Sequence, residues 1–267
     1  MSERNLLIIG GAEDKTGNCF LLREFVKLAG SSKSRLAVIT TAAAAPRKVG
    51  EEYRRLFLKL GASSVDIIAF DKRREVSREA AASLFKATGI FISGGDQLRL
   101  TGILGGTVIH SAIKKCYAEG TIVAGTSAGA AVVGATMIVG GDDERAPKKE
   151  ILRMAPGFAL LSDVVIDQHF AQRGRLGRLL AVVAQNPAVF GIGIDENTAA
   201  LFKDENSFYV LGSETVSVID GQGISFSNVS DQRENEALSL FDVQLHILSA
   251  GAAFNLKLRR PTLSKLA

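Results

Sequence analysis

Along the chain, apolar residues fall into short blocks closed by turn residues: Asn5–Ile9, Arg35–Thr41, Val65–Phe70, Gly89–Ser93, Thr121–Ala124, Val164–Asp167 and Phe190–Ile194. Blocks of this length without strict polar alternation predict strands buried on both faces. Helix-period segments lie between the early blocks, at Asn18–Leu28, Val49–Leu60, Ala80–Phe85 and Val108–Tyr117. Strands alternating with helices predict an α/β fold with a largely parallel central sheet covered on both sides. After about Asp195 the pattern changes to close-set apolar runs, Ala199–Phe202, Ser207–Leu211 and Thr215–Ile219, separated by Asp204-Glu205, Gly212-Ser213 and Gly221-Gln222-Gly223. These predict a C-terminal antiparallel edge to the sheet.

No linker composition or internal repeat divides the 267 residues, so residues 1–267 are expected to form one domain. The N-terminus turns charged at Glu13-Asp14-Lys15, too soon for a secretory signal, and the expected location is cytoplasmic. The uncharged stretch Thr121–Gly141 is rich in glycine and is expected to be a strand, turn and helix rather than a membrane span. A net charge of +4, spread along the chain with knots such as Lys72-Arg73-Arg74, sets no nucleic-acid expectation. Two distant cysteines, Cys19 and Cys116, read as buried thiols rather than as metal ligands.

The chemistry concentrates in Thr121-Ile-Val-Ala-Gly-Thr-Ser-Ala-Gly-Ala-Ala-Val-Val-Gly134. A buried strand runs into a tight turn of small residues and then directly into a helix, as in a nucleophile elbow. Gly125 and Gly129 flank Ser127 at minus two and plus two, where side chains would strike the neighbouring helix and strand. The backbone N–H of Ala128 then becomes a natural donor to a developing oxyanion. The competing reading is a tight packing turn or an anion site on a helix end.

A serine nucleophile needs a base, and the chain has three histidines. His110 lies in a helical stretch and His246 sits in Val243-Gln-Leu-His-Ile-Leu248, and both read as structural or surface residues. His169 follows Val164-Val165-Ile166 within Asp167-Gln168-His169-Phe170, at a strand's carboxyl end, where open α/β sheets bind ligands. The acid that orients the imidazole is expected at Asp195 or Glu196, again just past a buried strand. Adjacent strand residues face opposite sides, so only one of the two is expected to reach His169, and the pattern does not choose. Asp142, Asp143 and Glu150 are weaker candidates.

Two glycine pairs close other strands, Gly10-Gly11 and Gly94-Gly95. The backbone N–H groups of Gly95 and Asp96 are expected to complete an oxyanion hole, with Gln97 pointing into the same crevice. Neither pair has dinucleotide-binding spacing and no Walker sequence occurs, so no cofactor is expected. Arg173, Arg175 and Arg178 follow His169 and would grip carboxylates, unless they belong to a solvated helix start.

Taken together, Gly94-Gly95-Asp96-Gln97, Gly125-Thr-Ser-Ala-Gly-Ala130, Asp167-Gln-His-Phe-x-x-Arg-x-Arg-x-x-Arg178 and Asp195-Glu-Asn-Thr-Ala199 resemble the cyanophycinases, within a wider serine peptidase family that includes aspartyl dipeptidase. The resemblance implies a three-layer α/β sandwich, flavodoxin-like or class I glutamine-amidotransferase-like. It also implies hydrolysis of cyanophycin, a polymer with an aspartate backbone and arginine on each β-carboxyl, to β-aspartyl-arginine. It assigns Ser127 as nucleophile, His169 as base and Glu196 as orienting acid. A substrate pocket falls on Gln97, Asp167, Gln168, Arg173, Arg175 and Arg178, with Asp167 either balancing the arginines or meeting a substrate guanidinium. No metal is required, and a homodimer is expected. The rival readings are an α-aspartyl dipeptidase of the same family and a carboxylate- or arginine-binding module without catalysis. A glutamine amidotransferase would need a cysteine where Ser127 stands.

Overall fold

The computed structural model describes residues 4–140, 146–148, 152–231, 233 and 236–263. Asp142, Asp143 and Glu150 lie outside them. The first half follows the predicted alternation: β1 (Leu6–Ile9), α1 (Phe20–Leu28), β2 (Arg35–Ile39), α2 (Pro46–Lys59), β3 (Ser64–Ile68), α3 (Arg78–Leu84), β4 (Gly89–Ile92), α4 (Gln97–Leu104), α5 (Val108–Ala118), β5 (Ile122–Thr126) and α6 (Ala128–Ala131). Pro46 opens α2 at a position where its missing N–H costs nothing. Asp96 caps α4, its carboxylate accepting from Leu98 and Arg99 N–H at 2.8 and 3.0 Å.

The strands β1, β5, β4, β2 and β3 run parallel to one another. They form one half of a nine-stranded sheet ordered β17-β16-β11-β10-β1-β5-β4-β2-β3. The other half is antiparallel: β10 (Thr198–Phe202), β11 (Ser207–Gly212), β16 (Ala252–Asn255) and β17 (Arg260–Leu263). The expected antiparallel edge is therefore present through Ala199–Phe202 and Ser207–Leu211 and extends to β17, but the third run expected there, Thr215–Ile219, pairs instead in a second sheet.

A second, four-stranded sheet, β15-β12-β9-β8, lies apart from the first. Its strands are β8 (Val164–Gln168), β9 (Phe190–Ile194), β12 (Thr215–Asp220) and β15 (Gln244–Ser249). The apolar pattern cannot separate these from the central sheet, because a strand buried on both faces reads the same in either. One face of the central sheet, with Leu7, Val38, Phe91 and Ala124, packs on α1 and α2 through Phe25, Tyr53 and Phe57. The opposite face, with Ile8, Ile39, Ile92 and Val123, shares one core with α3, α5 and the inward side of the second sheet. Helix α7 (Leu176–Gln185) covers the other side of that sheet, Leu179, Val182 and Val183 packing with Val165 and Ile219. The layers are thus helices, central sheet, then helices beside a second sheet that carries its own helix.

The uncharged stretch after Thr121 resolves into β5, α6 and β6 (Thr136–Gly140), which pairs with β7 (Arg153–Pro156). Among the described residues no helix is long and apolar enough to cross a membrane.

Candidate active site

Ser127 follows β5 and has φ 52° and ψ −112°, a conformation that side-chain-bearing residues rarely adopt. The turn tightens because its neighbours are glycines. A Cβ on Gly125 would come 2.2 Å from the Gly129 carbonyl oxygen, and one on Gly129 would come 2.1 Å from that of Ile92. The result is a strained elbow that lifts Ser127 above the carboxyl end of β5.

The second sheet delivers the imidazole of His169. His169 leaves the end of β8 at φ 49°, and its N–H donates to the Gly10 carbonyl at 2.7 Å. That bond joins the end of the second sheet to the end of β1. The Ser127 Oγ lies 3.0 Å from His169 Nε2, and His169 Nδ1 lies 2.6 Å from Glu196 Oε1. A carboxylate accepting at Nδ1 fixes the proton there and leaves the Nε2 lone pair facing the hydroxyl.

Between the two acids the geometry is unambiguous. Asp195 is buried and turns away, accepting from Ala171 N–H at 2.9 Å and from the Thr215 hydroxyl at 2.7 Å. It pins the loop behind His169. Glu196 meets the imidazole, and its own N–H donates to Gln172 Oε1 at 3.1 Å. The other histidines are elsewhere: His110 accepts from Gly106 N–H at 3.1 Å and bonds the Phe158 carbonyl at 3.0 Å, while His246 sits on β15.

One expected contact needs correction, at Asp96, and the alternative left open for Asp167 falls to the arginines. The Asp96 N–H donates to the Ala42 carbonyl at 2.9 Å and its carboxylate caps α4, so Asp96 has no donor left for an oxyanion. Gly95, at φ +142°, presses so close to Ala42 that a Cβ would come 2.1 Å from its carbonyl oxygen. It lines the same cavity as Ser127 and stays a candidate donor with Ala128. Asp167 is 1% exposed and faces Arg178, whose Nε lies 2.6 Å from Oδ2, and Arg175 at 3.4 Å. Its carboxylate is a buried counterion behind the arginines, out of reach of a substrate guanidinium.

The remaining pocket residues do come together. Gln97, Gln168, Arg173, Arg175 and Arg178 line, with Ser127, one cavity of about 240 Å³. Arg175 and Arg178 are buried, so the solvated-helix reading fails for them, while Arg173 is exposed at the mouth. Gln97 Nε2 is steadied by the Ile138 carbonyl at 3.0 Å.

Two site residues escape sequence reasoning. Gly11 packs on the imidazole, where a Cβ would come 2.4 Å from His169 Nε2. The glycine pair signals close approach but not what approaches. Glu13 is buried under the elbow, accepting from the Tyr53 hydroxyl and the Thr126 hydroxyl, each at 2.5 Å. Burial and then the Glu13 charge hold the Tyr53 phenol well above its ordinary value. Nothing local in Ala12-Glu13-Asp14 marks Glu13 as a core residue.

The model of peptidase family S51 matches residues 6–210. The chain belongs to peptidase family S51. Among curated relatives, a protein named Cyanophycinase from Trichormus variabilis is 41% identical over 253 residues, 94% of this chain and 85% of the relative. A Cyanophycinase of Synechococcus elongatus is 39% identical over 254 residues, covering 94% and 79%. Another, from Geminocystis herdmanii, is 36% identical over 259 residues, covering 96% and 95%. The resemblance read from the motifs is thereby borne out. For the fold, a peptidase from an acI-B1 Actinobacterium superposes with TM-score 0.68 at 20% identity, covering 95% of this S51 chain and 97% of its own.

Proposed function

We propose that this family S51 peptidase is a serine-type hydrolase of cyanophycin, releasing β-aspartyl-arginine. The observation that carries the reading is the hydrogen-bonded line from Ser127 through His169 to Glu196, opening onto a cavity lined by Arg173, Arg175 and Arg178. The named relatives supply the substrate class, and the arginines supply the chemistry to grip its carboxylates.

Ser127 attacks the backbone amide carbonyl while His169 takes its proton. The C–N bond breaks as the imidazolium returns that proton to the leaving amine. Water, deprotonated by His169, then opens the acyl-enzyme and Ser127 regains its hydrogen. Glu196 holds the imidazole in the productive tautomer and stabilises its charged form. The N–H groups of Ala128 and Gly95 receive the oxyanion. Asp167 acts at one remove, holding Arg175 and Arg178 in place.

The test is incubation of cyanophycin with the wild type and with Ser127→Ala, products being read by mass spectrometry. β-Aspartyl-arginine from the wild type alone is the expected result. Cleavage of free aspartyl dipeptides without polymer breakdown would move the assignment to the dipeptidase branch. We further propose a cytoplasmic homodimer with one domain over residues 1–267, checked by fractionation, light scattering and limited proteolysis.

A further inference from the structure

Ser127 borders two cavities, and they differ in charge. The first is the arginine-lined one already described. The second, of about 480 Å³, is walled by Ala12, Val49, Glu52, Tyr53, Leu56 and His169, among others. Its carboxylate and ammonium side chains are Glu13, Glu52 and Lys15, two acids to one base, whereas the first cavity presents three guanidinium groups.

Within the second cavity Glu13 is already committed. Its two oxygens take the Tyr53 and Thr126 hydroxyls, and Lys15 Nζ stands 3.2 Å away. Glu52 is different. It is exposed on α2 with Val49 three residues before and Leu56 four after, on one helix face. Its carboxylate has no hydrogen bond or ion pair among the described residues. The same cavity already accommodates one cation, the Lys15 ammonium, 4.6 Å from the centre of the Tyr53 ring.

We propose that this second cavity is the subsite for the guanidinium arm of the substrate residue across the scissile bond from the arginine-lined cavity, with Glu52 as its carboxylate partner and specificity determinant. The inference rests on the cyanophycin reading above. Each repeat of that polymer carries a free carboxylate and a guanidinium. The arginine-lined cavity attracts the former and repels the latter. Across Ser127, the walls of Val49 and Leu56 suit a methylene stem while Glu52 meets the charged head. Two cavities of opposite sign sharing one nucleophile would also fix the direction in which the polymer lies.

The probe is a dimer of β-aspartyl-arginine units, compared with two versions in which one or the other arginine is replaced by citrulline, which is nearly isosteric and uncharged. In the wild type, citrulline at one position is expected to lower kcat/KM by roughly ten-fold or more, chiefly through KM. Glu52→Gln should erase that discrimination at the same position and leave the other position's ratio as it was. Glu52→Lys should favour citrulline there. A role confined to folding would lower all three substrates alike, and that result, or an unchanged arginine-to-citrulline ratio in an enzyme that degrades cyanophycin, overturns the subsite alone. A wild type inert on cyanophycin overturns the reading beneath it as well.

Discussion

Gly11 lies against the imidazole of His169 so closely that a single added methyl would come 2.4 Å from both Nε2 and Cε1. Its φ of +101° also disfavours any side chain. Gly11→Ala is therefore expected to push the ring off the Ser127 hydroxyl and lower kcat by about 10²-fold or more, since displacements near 1 Å cost that much. Steady-state kinetics beside a thermal melt would check it. Full activity in Gly11→Ala would show that the ring position tolerates the methyl.

Asp195 and Glu196 are adjacent in sequence but divide their work. Glu196→Gln should lower kcat on the order of 10⁴-fold by favouring the wrong imidazole tautomer, with little change in melting temperature. Asp195→Asn should do the reverse. It weakens the ties to Ala171 and Thr215, at about 1–3 kcal/mol of stability, while the residual activity stays far above that of Glu196→Gln. Comparable kinetic losses in both variants would contradict the assignment.

Asp167 sits against two buried arginines, so its removal leaves their charge poorly compensated. Asp167→Asn is expected to cost about 3–5 kcal/mol of stability. Denaturant unfolding should reveal this loss. Whatever KM increase follows should track the carboxylate of the substrate rather than its guanidinium. Selective loss of guanidinium-bearing substrates in this variant would restore Asp167 to direct contact.

Just past Glu13, the Asp14 carboxylate collects backbone N–H groups from Gly17, Cys19 and Thr16, at 2.8, 2.9 and 3.0 Å. These bonds, Gly17 first, hold its pKa at about 2, below the ordinary carboxyl value of 3.8. The folded-state pKa is depressed, so the stabilisation is fully present above the unfolded value and is lost as pH falls from about 4 through about 2. NMR titration of the Asp14 carboxyl should give a midpoint near the lower figure. In Asp14→Asn the acid limb of the stability curve should lose that contribution. A midpoint near 4 would mean the loop does not hold the carboxylate as described.

Much of the machinery was legible because local rules decide it. The Gly125 and Gly129 pair around Ser127 announces a tight strand-to-helix turn, since only a missing Cβ tolerates contacts of 2.2 and 2.1 Å. His169 and the acid pair declare themselves by following buried strands. The arginine run is visible as spacing, with Arg175 and Arg178 three apart and placed to share one partner, which proves to be Asp167.

What the chain's pattern could not supply are the distances between segments far apart in sequence. Buried strands read alike in any sheet, so only the folded molecule separates β8 and β9 from the central sheet and brings their ends to β1 through the Gly10 to His169 hydrogen bond. Strand alternation permits either acid, and packing selects Glu196 because Asp195 is consumed by Ala171 and Thr215. Composition shows an Asp96 amide and an Asp167 carboxylate without showing that Ala42 and Arg178 have taken them. The sequence by itself determined which chemical groups exist and which local turns present them. Tertiary structure alone decided which of those groups remain open to a substrate, because hydrogen-bond capacity is spent between residues that only folding makes neighbours.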